Sequence, residues 1–270
     1  MKKNLENRII ELDVFRGVAV LLMIFDHLMY NLWGLMPMLF SDYPTSGGAS
    51  QRIARAALEY WRMDLRVDIR YVVLAVFMLL TGICCSLSRS NLKRGLKLMA
   101  VALLVTAGTY AVGVITENMD ITITFGVLHC IALALISVGL LDMVKLSKWV
   151  YLAIGIAMTA VGAYLFSGAE FVSYSDAPVI ETVWRSILGT ATCGGDCFPF
   201  LLFGGQVFVG VFAGRQFYTE RKSIFKNSRY KNNVVTFVGR NSLAVYILHQ
   251  IIIPALLGIV LLILGFHLAI

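Results

Sequence analysis

Seven runs of predominantly apolar residues follow one another along this chain of 270 residues. A helix that crosses a lipid bilayer needs about 20 such residues. The runs lie near 12–33, 68–88, 96–116, 123–143, 149–166, 197–218 and 237–266. Hydrophobic residues make up 59% of the chain and charged residues only 14%, which a soluble core does not explain. The sequence therefore predicts an all-α, polytopic transmembrane bundle of about seven spans, within a range of six to eight.

The two ends of the chain need separate interpretation. The basic N-terminus is followed by an apolar run that is too long for a signal peptide and has no small-residue cleavage site, so we expect it to be retained as the first span. The last run is long and contains Pro254, which predicts either one tilted, kinked helix or two shorter pieces. Since no soluble domain and no repeat is recognisable, we treat residues 1–270 as a single transmembrane domain.

Lys and Arg residues are unequally shared between alternate loops. One side of the predicted bundle carries 16 of them and the other side six, while Arg16 lies within a span. The rule that basic loops are cytoplasmic then predicts a cytoplasmic N-terminus and an external C-terminus. The 16 residues are Lys2, Lys3, Arg8, Arg89, Lys93, Arg94, Lys97, Lys145, Lys148, Arg215, Arg221, Lys222, Lys226, Arg229, Lys231 and Arg240. Because the net charge of +7 comes from these short clusters, nucleic acid is not an expected partner.

The outer loop after the first run contains an amphipathic pattern, SQRIARAALEYWRMDLR, which begins at Ser50. A single helix would separate a polar face from an apolar face. The polar face comprises Arg52, Arg55, Glu59, Arg62 and Arg66, and the apolar face comprises Ala54, Leu58, Trp61 and Leu65. Such a helix is typical of anchoring at the membrane surface. The other interpretation is that its arginines form a wall for an acidic or sugar substrate.

The first run carries three ionisable residues, Arg16, Asp26 and His27. Arg16 and His27 are eleven residues apart, close to three helical turns, so they share one face about 16 Å apart along the axis. Ionisable residues in a membrane span are costly and usually functional. The structural alternatives are that Asp13 neutralises Arg16, that Arg16 snorkels to the inner boundary, and that His27 only hydrogen-bonds to Asp26 or to a neighbouring helix.

Three of the four histidines lie within predicted spans, namely His27, His129 and His249, and His267 lies at the C-terminal boundary. Intramembrane histidines indicate proton handling or a metal. Metal is the weaker interpretation, because no two of them share a span at ligand spacing. A histidine suits general base catalysis near neutral pH. Among five cysteines, only Cys193 and Cys197 of the predicted outer CGGDC loop could form a small disulfide loop.

The motifs resemble a known family. In the first span, which begins ELDVFRGVAVLLMI, ten residues separate Arg16 from His27. This arrangement resembles the motif of the membrane acyltransferase family 3. A closer resemblance is to the catalytic region of the heparan-alpha-glucosaminide N-acetyltransferase family, in its small bacterial branch. The further segments that carry it are FMLLTGICCSLS, FGVLHCIAL, DCFPFLLFGGQVFVGVFAGR and GRNSLAVYILHQ.

This resemblance implies transfer of an acetyl group from cytoplasmic acyl-CoA to a sugar or glycan on the far side of a bacterial plasma membrane. It implies acetyl-CoA as co-substrate, no metal, and a homodimer. The candidate catalytic residues are then His27 and Asp26. The candidate CoA-binding residues are Arg16, Arg215, Arg240 and Asn241. The candidate acceptor-binding residues are Asp68, Arg70, His129, Asp196 and His249.

Two functions without catalysis compete with this interpretation. A transporter or channel would use the same polar face as a permeation path, although the chain has no inverted-repeat hydropathy. A structural partner in a glycan-modifying complex would need no CoA site.

Overall fold

A computed structural model describes residues 8–174, 179–194, 196–223 and 233–269. Within these ranges the fold is almost entirely helical. The helices are α1 (Ile10–Tyr30), α2 (Met36–Leu39), α3 (Ala49–Arg62), α4 (Asp64–Ser86), α5 (Asn91–Ile115), α6 (Val127–Met143), α7 (Lys148–Ser167), α8 (Val179–Leu188), α9 (Gly205–Phe217), α10 (Val234–Arg240) and α11 (Ser242–Ile263). Two π-helical turns, Asn31–Leu35 and Phe200–Gly204, precede α2 and α9, and a 3-10 turn covers Met119–Ile121. Two short parallel strands, β1 (Glu170–Phe171) and β2 (Ala191–Thr192), complete the secondary structure.

The predicted fold class, an all-α membrane bundle, is confirmed. Each of the seven predicted apolar runs contains a helix. In the part of the chain that the structure describes, five helices are long and apolar enough to cross a membrane. They are Asp64–Ser86, Asn91–Ile115, Lys148–Ser167, Phe200–Phe217 and Ser242–Ile263. The helix α6 is apolar but shorter, and α1 has 21 residues that include several charged ones. The count of seven crossings therefore stays a prediction.

Large apolar side chains cover the outer surfaces of these helices. Leu104 is 72% exposed, Ile115 81% and Ile251 64%. A water-soluble protein rarely exposes contiguous apolar patches of this kind. Because a bilayer solvates them with hydrocarbon instead, the protein is an integral membrane protein.

The first compact unit comprises residues 1–77 and 223–270. In it, α1 packs against α3, α10 and α11. Glycine permits the closest of these approaches. A Cβ atom on Gly239 of α10 would lie 1.8 Å from the carbonyl oxygen of Asp13, and one on Gly17 would lie 2.0 Å from the carbonyl oxygen of Val235. The two helix backbones are thus in direct contact.

The end of α11 is attached to the segment that follows α1. A hydrophobic cluster of Met36, Phe40, Tyr43, Ala54 and Leu261 fills this region. An antiparallel bridge joins Phe40 to Leu268. His267 donates its backbone N–H to the Asp42 carboxylate at 2.9 Å, and its ring Nδ1 lies 2.9 Å from the other oxygen. These hydrogen bonds lower the pKa of Asp42.

The second compact unit comprises residues 78–222. In it, α5 packs on α6, and α7 packs on α9. The carboxylate of Asp142 is the centre of a polar cluster. It accepts hydrogen bonds from Tyr151 at 2.7 Å, from Asn91 at 3.0 Å and from Arg215, which also lies over the Tyr151 ring. The cluster joins four helices of this unit, since Asn91 belongs to α5, Asp142 to α6, Tyr151 to α7 and Arg215 to α9.

Three expectations change. The amphipathic pattern was expected to be one helix through Arg66, which is wrong: α3 ends at Arg62, and Arg66 belongs to α4, with Met63 in an extended conformation between them. Pro254 lies inside one continuous helix, α11, and α10 is a separate short helix before it. Cys193 and Cys197 are free thiols, so the disulfide is absent from this structure.

Some residues that support the predicted orientation lie outside the described ranges. They are Lys2, Lys3, Lys226, Arg229 and Lys231. The orientation itself stays a prediction.

Candidate active site

One face of α1 carries Arg16, Val20, Met23 and His27. The helix is regular over Ile10–Tyr30, so the predicted spacing of about 16 Å between Arg16 and His27 follows from its rise per residue. Val20 is fully buried, and the other three are partly buried. The opposite face, which includes Phe15, Val18, Leu22 and Phe25, is exposed. The face that bears Arg16 and His27 is therefore turned toward the interior of its unit.

Asp13, near the start of α1, pairs with Arg8. The Arg8 guanidinium donates two hydrogen bonds to the Asp13 carboxylate, at 2.8 and 2.9 Å. This geometry fills both oxygens of Asp13 with a bidentate partner. Asp13 is thus matched in charge by Arg8, and its role as the counter-ion of Arg16 stays an untested alternative.

The close contact of α10 with α1 brings Arg240 and Asn241 to the end of the face that carries Arg16. A Cβ on Gly239 would lie 3.0 Å from the backbone nitrogen of Gly17, the neighbour of Arg16. Arg240 and Asn241 follow Gly239 directly in the chain, and Asn241 donates its side-chain N–H to the Phe237 carbonyl at 2.9 Å. Three of the four predicted CoA-binding residues are therefore near one another.

His27 is hydrogen-bonded to His249 at the other end of the face. The distance between Nδ1 of His27 and Nε2 of His249 is 2.7 Å. The two rings are nearly parallel, with 5.0 Å between their centroids. Nδ1 of His249 lies 3.1 Å from the carbonyl oxygen of Val245, and Nε2 of His27 lies 3.5 Å from the amide nitrogen of Gln250. His249 is thus a partner of His27, and its predicted role in binding the acceptor stays a prediction.

Asp26, beside His27, has a different set of partners. Arg66 donates two hydrogen bonds to its carboxylate, at 2.7 and 2.5 Å, and the Tyr60 hydroxyl donates a third at 3.1 Å. Arg66 is buried and also lies 3.6 Å above the ring of Trp61. Burial and the charge of Asp26 raise the pKa of Tyr60, so Tyr60 keeps the proton that it donates. Asp26 is thus the centre of a junction between α1, α3 and α4.

Asp68 and Arg70 lie in the following turns of α4 and are exposed. Arg70 is close enough to His27 to interact with it electrostatically. This places one predicted acceptor-binding residue near the imidazole and leaves Asp68 as an untested prediction.

The other predicted site residues belong to the second unit. His129 is buried, and its Nε2 lies 3.1 Å from the Thr106 hydroxyl, which itself donates to the Ile123 carbonyl. Nε2 of His129 must then be the donor, and its Nδ1 has no hydrogen-bond partner among the residues that the structure describes. Asp196 accepts a hydrogen bond from the backbone N–H of Val127 at 3.2 Å and so caps α6. Arg215 pairs with Asp142.

Sequence reasoning missed Arg66, Tyr60 and Gln250 as neighbours of the candidate site. The 17-residue amphipathic pattern contained Arg66 and Tyr60, but it gave no Gly or Pro signal for the break at Met63. Gln250 follows His249 in YILHQ, and that adjacency was the only available signal. In the described parts of the chain, no group of three or more His, Cys, Asp or Glu side chains could hold a metal ion.

The family model described as "Heparan-alpha-glucosaminide N-acetyltransferase, catalytic" matches residues 51–251. This range covers most of the chain and contains His249, but it begins after α1 and so does not contain Arg16 or His27. No curated protein and no solved structure matches the chain in the same comparisons.

Proposed function

The chain belongs to the family of the heparan-alpha-glucosaminide N-acetyltransferase catalytic domain, and from that premise we propose that it moves an acetyl group from cytoplasmic acetyl-CoA to a sugar or glycan on the other side of the membrane. The family match supports an acetyltransferase of the membrane. Beyond this, we propose that acyl-CoA is the donor and a glycan the acceptor, that the membrane is a bacterial plasma membrane, and that the protein is a homodimer.

The observation that carries the proposal is the inward face of α1. It has a cation at one end and a hydrogen-bonded histidine pair at the other. CoA is a phosphate-rich molecule with a long, flexible arm that ends in the thioester. An arm that lies along Val20 and Met23 would bring the thioester from Arg16 toward His27.

The phosphates of CoA would bind at the Arg16 end. Arginine binds phosphate through a planar group of N–H donors, and the contact of α10 with α1 supplies Arg240 and Asn241 beside Arg16. Arg215 of the second unit is a separate proposal for CoA binding, and it would have to exchange its hydrogen bond to Asp142 for one to phosphate.

His27 would act at the acetyl group in one of two ways. As a general base it takes the proton of the acceptor hydroxyl or amine, which then attacks the thioester carbonyl. As a nucleophile it carries the acetyl group itself before the acceptor attacks. Arg70, which interacts with His27, and the exposed Asp68 are proposed to bind the acceptor. His129 and Asp196 of the second unit are separate proposals for acceptor binding. Asp26 is proposed as a catalytic residue that acts on the acceptor rather than on the imidazole.

The test is acetyl transfer by the purified protein in lipid nanodiscs. Acetyl-CoA carrying a labelled acetyl group is offered with a panel of acceptors, an amino sugar, a neutral sugar and a lipid-linked sugar, and the labelled product is measured. Binding is measured separately as the rise in unfolding temperature with acetyl-CoA. We expect both signals. If acetyl-CoA neither binds nor donates its acetyl group, the proposal is wrong.

Two variants distinguish the roles proposed for the two ends of the inward face of α1. We expect His27→Ala to abolish transfer and leave acetyl-CoA bound. We expect Arg16→Ala to weaken acetyl-CoA binding roughly tenfold, or about 1.4 kcal/mol, with a smaller effect on the transfer rate at saturation. Arg52→Ala, which removes an exposed arginine of α3, is the matched control. The reverse pattern, with CoA binding lost in His27→Ala and transfer lost in Arg16→Ala, would refute the assignment of the two ends.

A further inference from the structure

The hydrogen bonds around His27 determine where its proton lies. A backbone carbonyl only accepts hydrogen bonds, so Nδ1 of His249, 3.1 Å from the Val245 oxygen, must carry a hydrogen. In a neutral imidazole the other nitrogen then has a lone pair. Nε2 of His249 is therefore an acceptor, and its partner at 2.7 Å, Nδ1 of His27, must be the donor. The remaining nitrogen of His27, Nε2, is left with its lone pair.

The neighbour of that nitrogen agrees with this result. The amide nitrogen of Gln250 only donates hydrogen bonds, and it lies 3.5 Å from Nε2 of His27. The opposite tautomer of His27 would put two donors against each other at Gln250 and two lone pairs against each other at His249. His249 is buried, and burying an unpaired charge is costly, so the neutral ring is the form considered.

We infer that His249 is a positioning residue that holds His27 in the Nδ1–H tautomer, so that Nε2 of His27 is the atom that reacts. This inference rests on the proposed acetyl transfer. It assigns to His249 the task that a carboxylate has in an aspartate–histidine pair. Asp26 does not have that task, because Arg66 and Tyr60 occupy its carboxylate.

The proton balance of the transfer follows from this tautomer. The acceptor O–H or N–H gives its proton to Nε2 of His27 as the acceptor atom bonds to the acetyl carbonyl carbon. The carbon–sulfur bond breaks, CoA leaves as a thiolate, and the thiolate takes the proton back from Nε2. While His27 is protonated, its Nδ1–H points at the lone pair of His249. The positive charge is then shared by two rings, and the second ring is hydrogen-bonded to the Val245 carbonyl.

The tautomer is measured by nitrogen-15 NMR of protein labelled at its histidines, in nanodiscs and without substrate. We expect the His27 signals of a ring protonated at Nδ1. His27→Asn identifies these signals by their loss. His249→Ala should convert His27 to a mixture of both tautomers. Signals of an Nε2-protonated His27 in the unaltered protein would overturn the inference, and so would an unchanged His27 spectrum in His249→Ala.

The kinetic consequence is measured with acetyl-CoA and the acceptor that the transfer assay identifies. We expect His249→Ala to lower kcat roughly 10- to 100-fold, as the loss of a hydrogen-bond partner that orients a functional histidine does. The KM for acetyl-CoA should be unchanged within about twofold. His249→Gln, which supplies an amide oxygen to accept from Nδ1 of His27, should recover part of kcat. Leu248→Ala, at the exposed neighbour of His249 in the same helix, is the matched control and should keep the full rate.

The two arms distinguish the inference from the proposed function. If the unaltered protein transfers no acetyl group, the proposed function is wrong, and the NMR measurement still decides the tautomer. If transfer occurs and His249→Ala keeps kcat within about twofold, His249 is not a positioning residue, although the proposed function stands.

Discussion

Two neighbouring residues of α1, Asp26 and His27, show how adjacent side chains of one helix come to have different partners. Successive side chains are about 100° apart around a helix, so they face different partners. Asp26 pairs with the buried guanidinium of Arg66, whereas His27 is hydrogen-bonded to the imidazole of His249. Adjacent residues of one helix are thus held by an ion pair and by a hydrogen bond between two rings.

The ion pair of Asp26 and Arg66 gives a prediction about stability. The two side chains are only 16% and 6% exposed. Removing one partner leaves a buried charge, so we expect Arg66→Ala and Asp26→Asn each to lower the free energy of unfolding, by about 3–5 kcal/mol for the first and less for the second. The measurement is the unfolding temperature in detergent.

A double variant and a control test whether the contributions of Asp26 and Arg66 to stability depend on each other. Asp26→Asn combined with Arg66→Ala removes both charges, so it should cost less than the sum of the single variants. Arg62→Ala, at an exposed position of α3, should change stability by less than about 0.5 kcal/mol. Additive single and double variants would mean that Asp26 and Arg66 do not depend on each other.

Cys193 gives a prediction about pH. A hydrogen bond from Cys197 is the main cause that lowers the pKa of Cys193 from an ordinary value of 9.0 to about 6, Ser186 contributes as well, and burial acts in the opposite direction. Because this pKa is lowered in the folded state, its contribution to stability is fully present above pH 9 and is lost as the pH falls through about 6. Between these values the folded protein should become more stable with rising pH.

The ultraviolet absorbance of the Cys193 thiolate measures the same shift, because the side chain is buried and the rate with an external reagent would also depend on access. The absorbance change, taken as the difference from Cys193→Ser, should reach half its maximum near pH 6. Cys197→Ala removes the donor and should move this midpoint upward, whereas Cys197→Ser keeps an O–H donor and should move it less. A midpoint that does not respond to Cys197→Ala would contradict the assigned cause.

At the scale of whole elements, helices of the second unit approach one another closely at glycines. A Cβ on Gly210 of α9 would lie 2.2 Å from the Leu79 carbonyl oxygen of α4, and one on Gly82 would lie 2.0 Å from the Val207 carbonyl oxygen. Both obstacles are backbone atoms, which cannot rotate away. The crossing of α4 and α9 therefore requires glycine on both helices.

A pair of identical substitutions tests this requirement. Gly210→Ala should destabilise the protein by about 1–3 kcal/mol or more, because the helices must separate. Gly108→Ala, on an exposed part of α5 where a Cβ would meet nothing within 4 Å, should be neutral or stabilise it by up to about 1 kcal/mol. Unfolding temperatures in one detergent compare the two. Equal effects would mean that helix propensity, rather than close packing, determines the result.

Comparing the observed helices with the sequence patterns shows which of their features can be predicted from sequence alone. Apolar length predicted a helix in every span, and helical periodicity predicted that Arg16 and His27 share one face, because both signals are local. The pairing of His27 with His249 joins residues 222 positions apart, and no local pattern encodes it. The partner of Asp26 was missed for another reason: the break between α3 and α4 occurs at Met63, which carries no conformational signal of its own.

At the scale of the whole molecule, the distribution of basic residues predicts a C-terminus opposite to the N-terminus. The first unit is compatible with this arrangement, since Leu268 pairs with Phe40, which lies beyond the far end of α1. A C-terminal alkaline phosphatase fusion, which is active only outside the cytoplasm, should be active in a bacterial host. A C-terminal fluorescent protein that folds only inside should stay dark. The opposite pair of results would reverse the predicted orientation.

The attachment of residues 266–269 to the segment after α1 has a mechanical consequence. A helix that contacts its neighbours at one point can still rotate about its axis, whereas contacts at two separated points oppose both rotation and sliding. The helix α11 is held to α1 at His249 and, near its other end, through Asp42, Phe40 and the residues bonded to them. Its angle about its own axis is thereby fixed, and with it the direction in which His249 points. Backbone hydrogen bonds, apolar contacts and one polar side chain, His267, thus help to keep two distant imidazole rings in register.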